Sequence, residues 1–234
     1  MYFMLVSRKP KPGIPLMKIE IWSDVMCPFC YLGKRRLESA LAQFPHGDEV
    51  EIAWKSFQLN PDMETEPGKS INAYLAEKKG WSLEQTRQIH ERLTKSAAEA
   101  GLLYDFDKAV VANSFDAHRL VQLAKRDGLG DAMEERLFKA YFSEGKNIAD
   151  HATLPGLAAD AGLDRSEAEA VLASDAFTDE VNADVREARQ LGVTGVPFFV
   201  FDRKFAVSGA QDADVFLKAL ETAHRKGQTK DPAD

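Results

Sequence analysis

The stretch that most constrains this chain is Trp22-Ser23-Asp24-Val25-Met26-Cys27-Pro28-Phe29-Cys30-Tyr31-Leu32-Gly33, which holds its only two cysteines. A short apolar strand runs into a helix here. Residues three apart in a helix return to one face, so Cys27 and Cys30 fall within bonding reach of one another. At a helix start the first backbone N–H groups are unpaired and the macrodipole is positive, which favours thiolate over thiol at Cys27. Pro28 falls on the first helical position, where its fixed φ suits the turn and its missing N–H is not needed. Cys27 is therefore the expected attacking sulfur, and Cys30, one turn deeper, the resolving one.

A structural zinc site would need four ligands. The chain has no third cysteine, and His46, His90, His118, His151 and His224 are scattered without metal-ligand spacing. No metal is expected. Two inert, buried thiols are the remaining structural alternative. With 234 residues, 44% of them hydrophobic, the chain can bury a sizeable core. Its formal charge of −7 gives no electrostatic case for nucleic acid or for an anionic membrane surface. No run reaches the roughly 20 apolar residues that span a bilayer. The apolar start, Met1 to Val6, is too short for a signal-peptide core, and its basic residues follow it. Two cysteines spaced for function, with none left for structural bridges, suit a reducing cytoplasm.

Residues 1–16 read as an extension outside the fold, since Met17 stands directly before the first strand. Ile19 and Ile21 alternate with polar neighbours in that strand. Leu32, Leu37, Leu41 and Phe44 then recur at helical spacing, and Val50, Ile52 and Trp54 mark a second strand. Strand, crossover helix and strand make a βαβ unit with parallel pairing. From residue 61 to 174 the pattern is helical without a convincing strand. Ser82 and Gln85 have capping-box spacing, Asn113 is a candidate cap, and further helices are expected over 130–143, 153–161 and 166–173. The charges along these helices are expected to be solvated faces. A long helix over 175–191, an apolar run Val196 to Phe201, a turn at Asp202-Arg203, a strand around Ala206 and a final helix to Ala223 follow. Asp-Arg is not a favoured hairpin pair. Residues 226–234 read as a polar tail.

The order is thus βαβ, a helical insertion, then αββα: an α/β, thioredoxin-like fold formed by residues 17–60 and 175–225 and split by an all-helical insertion over 61–174. On Ser23-Asp24, Cys27-Pro28-Phe29-Cys30-Tyr31-Leu32-Gly33 and Gly192-Val193-Thr194-Gly195-Val196-Pro197-Phe198-Phe199-Val200, the sequence resembles the DsbA-like thioredoxin superfamily, in particular its FrnE-type branch. It is also similar to the 2-hydroxychromene-2-carboxylate isomerase and kappa-class glutathione transferase relatives, in which serine typically occupies the nucleophile position. Pro28-Phe29 differs from the Pro-His of periplasmic oxidants. The resemblance implies a cis bond between Val196 and Pro197, facing Cys27.

The expected function is thiol–disulfide exchange with protein or peptide substrates through Cys27 and Cys30, with no cofactor beyond glutathione as an optional co-substrate. The alternatives are a glutathione-dependent isomerase or transferase and a non-catalytic peptide-binding module. Pro28, Phe29, Val196, Pro197 and His118 are the candidate substrate-contacting residues. His118, on the edge of a helical apolar stripe, either faces the cysteines or is a hydrogen-bonded histidine between the two parts of the fold. Asp24 reads as a loop residue satisfying backbone N–H groups.

Overall fold

The computed structural model describes residues 17–228. Strand β1 (Met17–Ser23) lies at the centre of a four-stranded sheet of order β2-β1-β5-β6, parallel to β2 (Val50–Ser56) and antiparallel to β5 (Phe198–Phe201), which pairs in turn with β6 (Phe205–Ser208). Helix α1 (Pro28–Gln43) makes the crossover between β1 and β2. This is the expected thioredoxin-like arrangement.

The alternation in β1 separates two cores. Ile19 and Ile21 join Phe199 and Phe201 in the main cluster, under α1 and the C-terminal helix α9 (Ala213–Gln228). Phe216, Leu220 and Ala223 place one stripe of α9 inward, and Phe216 meets Phe199 edge-on with ring centres 4.6 Å apart. On the opposite face Trp22 and Val200 pack with Ala188 of α8 (Thr178–Gln190) and with Val193. Because β1 is central, its polar member Glu20 is also buried, and its carboxylate is matched by the Arg203 guanidinium.

Residues between β2 and α8 form β3 (Glu66–Ser70), α2 (Ile71–Lys79), α3 (Leu83–Glu99), β4 (Val110–Val111), α4 (Phe115–Arg126), α5 (Gly130–Phe142), α6 (Leu154–Asp160) and α7 (Arg165–Leu172). Ser82 and Gln85 form a reciprocal capping box on α3. The expected all-helical insertion also carries the two-stranded β3–β4 ribbon. Strand β4 is two residues long and β3 contains Pro67 and Gly68, so neither shows an apolar alternation. Asn113 precedes the cap position of α4. Its Oδ1 accepts the Phe115 N–H at 2.9 Å, and its amide donates to the Pro61 and Met63 carbonyls.

Three expected boundaries move. Helix α8 begins at Thr178, after Phe177 in a left-handed conformation with φ 64°. Strand β5 begins only at Phe198. Residues 226–228, expected in the tail, complete the last turn of α9. The extension over 1–16 and the remainder of the tail, 229–234, lie outside the described residues.

At the hairpin both turn residues are left-handed, Asp202 at φ 46° and Arg203 at φ 57°. Two non-glycine residues hold this conformation through tertiary partners. Asp202 accepts the Lys18 N–H at 2.8 Å, and Arg203 binds Glu20 and also Glu187, the latter at 2.5 Å. No described helix is long and apolar enough to cross a membrane.

Candidate active site

Cys27 is the N-cap residue of α1, in extended conformation, with Pro28 next in the first turn. Its N–H donates to the Asp24 carbonyl at 2.9 Å, and its own carbonyl accepts the Cys30 N–H at 3.0 Å, which closes the first turn around the pair. Both cysteines are free thiols. The Val196–Pro197 peptide bond is cis, and the Cys27 thiol donates to the Val196 carbonyl at 3.6 Å. The loop before β5 thus stands opposite the first cysteine.

Gly33 makes that approach possible. A Cβ added there would lie 3.0 Å from Pro197 Cγ and 3.1 Å from Phe199 Cζ, so α1 and the loop meet more tightly than a side chain at this position allows without a shift of its neighbours.

The two sulfurs have different surroundings. Cys30 is 1% exposed, and its acidity is strongly suppressed, first by burial and then by the adjacent Cys27. The Asp24 backbone and Ser23 act in the opposite direction. Cys27, 3% exposed, borders the surface where Phe29 is 46% exposed. Pro28 is half-buried, Val196 is half-buried and Pro197 is buried.

His118 does not belong to a client-contacting surface. It is fully buried on α4, with Nε2 3.5 Å from Asp24 Oδ1, an ion-pair separation without hydrogen-bond geometry. Packing of α4 against the loop after β1 places the imidazole inside the molecule, so direct contact with a substrate is excluded. Burial lowers its basicity, but the carboxylates of Asp24, Glu134 and Asp184 together outweigh burial and the net shift is upward. Asp24 has the loop role read for it. Oδ1 accepts the Met26 N–H at 3.3 Å, and Oδ2 accepts the Leu59 N–H at 2.8 Å.

Other residues around the pair carried no sequence signal. Tyr104, between α3 and β4, donates its hydroxyl to the Pro28 carbonyl at 2.6 Å and lies 6.0 Å from the Tyr31 ring, so the insertion touches the first turn of α1. Burial, followed by the charge of Cys27, raises its phenol pKa and keeps the proton in place. Lys34, 4% exposed, reaches Glu135 at 3.1 Å and Asp131 at 3.3 Å on α5 and also pairs with Glu38. Glu134, one residue from Glu135, is fully buried, and burial pushes its carboxyl up to about 7. The expectation that charges on the inserted helices are solvated fails at Glu134 and at Arg119. Arg119 is buried because its guanidinium donates to backbone carbonyls of Val171, Ser174 and Ala176. Among the described residues no cluster of His, Cys, Asp and Glu is arranged to hold a metal ion.

Comparison with known proteins agrees with this geometry. The DSBA-like thioredoxin domain matches residues 18–221, nearly the whole described chain. The chain belongs to the DSBA-like thioredoxin family. Among solved structures, this DSBA-like chain is similar to a probable DsbA oxidoreductase from Streptomyces coelicolor. The two are 43% identical, with 93% of each chain covered and a TM-score of 0.86. A cytosolic disulfide reductase, DsbM, from Pseudomonas aeruginosa, also solved with glutathione, superposes at TM-score 0.60 with 23% identity, covering 89% of this chain and 99% of its own. A 2-hydroxychromene-2-carboxylate isomerase does so at 0.65 with 19% identity, covering 93% and 100%. At such identities the likeness of these last two concerns the fold.

Proposed function

We propose that the protein is a thiol–disulfide oxidoreductase of the reducing cytoplasm, exchanging disulfides with protein or peptide substrates through Cys27 and Cys30. The observation that carries this reading is the asymmetry of the pair: Cys27 caps the N-terminus of α1 opposite the Val196 carbonyl, while burial holds Cys30 in its thiol form. In the reductive direction the Cys27 thiolate attacks a client disulfide, forms a mixed disulfide and releases one client thiolate. Cys30 then gives up its proton and attacks the Cys27 sulfur. The Cys27–Cys30 bond forms, the bond to the client breaks, and the second client thiolate leaves. A dithiol has become a disulfide, and the client has gained two electrons.

Exposed Phe29 beside the pair, with Pro28, Val196 and Pro197 around Cys27, suits an extended apolar client segment. The exchange itself calls for no metal or organic cofactor. Glutathione is the natural small thiol to return the pair to its reduced form, a role supported by the structure of the DsbM relative with glutathione. The cytoplasmic assignment is supported by the absence of any cysteine beyond the redox pair.

The test is to express Cys30→Ser in cells and isolate what becomes attached to Cys27. The expected result is a set of mixed disulfides with proteins, absent in Cys27→Ala. Glutathione as the sole adduct would transfer the assignment to a glutathione-dependent isomerase or transferase.

A further inference from the structure

The side chain of a helix-capping residue ordinarily accepts the N–H of the second or third helical residue. Cys27 caps α1 but makes no such bond, because its thiol is turned as a donor to the Val196 carbonyl at 3.6 Å. The Phe29 N–H, second in the helix, is therefore left without an acceptor among the described residues. Loss of the thiol proton reverses the preference of the sulfur. A thiolate has nothing to donate to a carbonyl and is drawn to an unpaired N–H at the helix start.

The other end of that same peptide group is already engaged. Tyr104, from the insertion, donates its hydroxyl to the Pro28 carbonyl at 2.6 Å. Pro28 C=O and Phe29 N–H are opposite ends of one planar amide, so a donor on the oxygen polarises the group and strengthens the N–H as a donor. The phenol is buried and keeps its proton, which makes it a permanent donor. Its ring is held by Phe142 at 4.8 Å, Phe106 at 5.6 Å and Tyr31 at 6.0 Å between ring centres.

We propose that Tyr104 is a positioning residue for the attacking sulfur: through the Pro28–Phe29 peptide it strengthens the N–H that receives the Cys27 thiolate, so that the insertion sets the reactivity of Cys27. The contacts run from the Tyr104 hydroxyl to the Pro28 carbonyl, and from the Phe29 N–H to the ionised sulfur. Ionisation passes the Cys27 proton to solvent, and no other covalent bond changes. The inference deepens the thiol–disulfide reading above and rests on it for the reaction that the thiolate serves.

The other titratable groups around this path are Cys30 on α1, Asp24 in the preceding loop with His118 of α4 beside it, and His90 of α3, stacked on Phe106. Arg35 lies over the Tyr31 ring and pairs with Glu135 of α5, and Asp105 next to Tyr104 pairs with Lys108. All of them are common to the parent and to Tyr104→Phe, so comparing the two chains isolates the hydroxyl.

The test alkylates the full reduced chain with iodoacetamide from pH 5 to 9.5 and follows modification of Cys27 by peptide mass, since the thiolate is the reacting form. Strengthening of one charge-assisted hydrogen bond by a neighbour is modest, so Tyr104→Phe is expected to react about two- to threefold more slowly than the parent below about pH 6. The two rates should converge above about pH 9, where both sulfurs are ionised. A constant ratio over the whole range would assign the effect to ring placement, and equal rates throughout would remove Tyr104 from the site; either result overturns the proposal. In the parent alone, the Tyr104 hydroxyl proton should move downfield in its NMR spectrum as Cys27 ionises and stay fixed in Cys27→Ala. An unmoved resonance in the parent would overturn the proposal even if Tyr104→Phe fails to fold. Failure of the parent to close a Cys27–Cys30 disulfide with oxidised glutathione would instead overturn the dithiol reading, and the alkylation profiles would still decide the role of Tyr104.

Discussion

Asp184 of α8 offers the sharpest energetic test, because it joins the thioredoxin sheet to the insertion. It is 5% exposed and accepts from Lys55 Nζ at 2.9 Å, the Ser56 N–H at 3.0 Å and Gln122 Nε2 at 2.7 Å, with Lys125 Nζ at 3.5 Å. Asp184→Asn keeps the shape and removes the charge. The amide can still accept from Ser56 and Gln122, but its NH2 then faces the Lys55 ammonium, donor against donor. Charge-assisted hydrogen bonds contribute about 1.5–3 kcal/mol each, and loss of one partner of a buried pair costs about 3–5 kcal/mol. Both lysines are partly exposed, so a loss of about 2–4 kcal/mol is expected. For a chain of this size that corresponds to a fall in Tm of about 5–15 °C.

The pH dependence has a definite sign. Burial tends to raise the Asp184 pKa, but Lys125 and Lys55 outweigh it and the net shift is downward. Its stabilisation is therefore complete above the unfolded-state value of about 3.9 and is lost as pH falls through the lower folded-state value. Thermal unfolding of the parent and Asp184→Asn, followed by circular dichroism from pH 3 to 8, should show the full gap at neutral pH and a shrinking gap below about pH 4. A neutral-pH gap under about 2 °C would refute the reasoning. So would failure of Lys55→Met, which removes the stranded ammonium, to recover part of the loss in the double variant.

Gly33→Val should lower Tm by roughly 4–10 °C, because overpacking against Pro197 and Phe199 costs about 1–3 kcal/mol and a β-branched residue earns no helix advantage sufficient to offset it. The same variant should react at an altered rate with DTNB, since Pro197 adjoins the Val196 carbonyl that receives the Cys27 thiol. Tyr104→Phe removes one hydrogen bond to a carbonyl at the start of α1 and should cost about 1 kcal/mol, read as a fall of about 2–4 °C in Tm. Phe29→Ala, at an exposed position, should leave stability within about 0.5 kcal/mol while slowing reduction of a protein disulfide such as insulin more than reaction with DTNB. Equal slowing with both substrates would remove Phe29 from the client surface.

What the sequence determined by itself is what short-range chemistry can write. Pro28 after Cys27 starts a helix, three residues return Cys30 to the same face, and the alternations around Ile19 and Ile52 on either side of a helix specify a parallel βαβ unit. The apolar stripe of α9 and the capping box at Ser82 are likewise local. Other features were decided by tertiary structure. The left-handed turn at Asp202 and Arg203 depends on Lys18, Glu20 and Glu187, which lie far away in the chain. Ser23, Asp24, His118 and Glu134 come from a strand end and two helices of the insertion. In a helix pattern, Glu134 looks the same as its neighbour Glu135, which is paired with Arg35 and Lys34. Periodicity reports which face of an element is apolar. It cannot report that a second element will later cover the polar face, and it is that covering which turns ordinary surface charges into buried groups with shifted proton affinity.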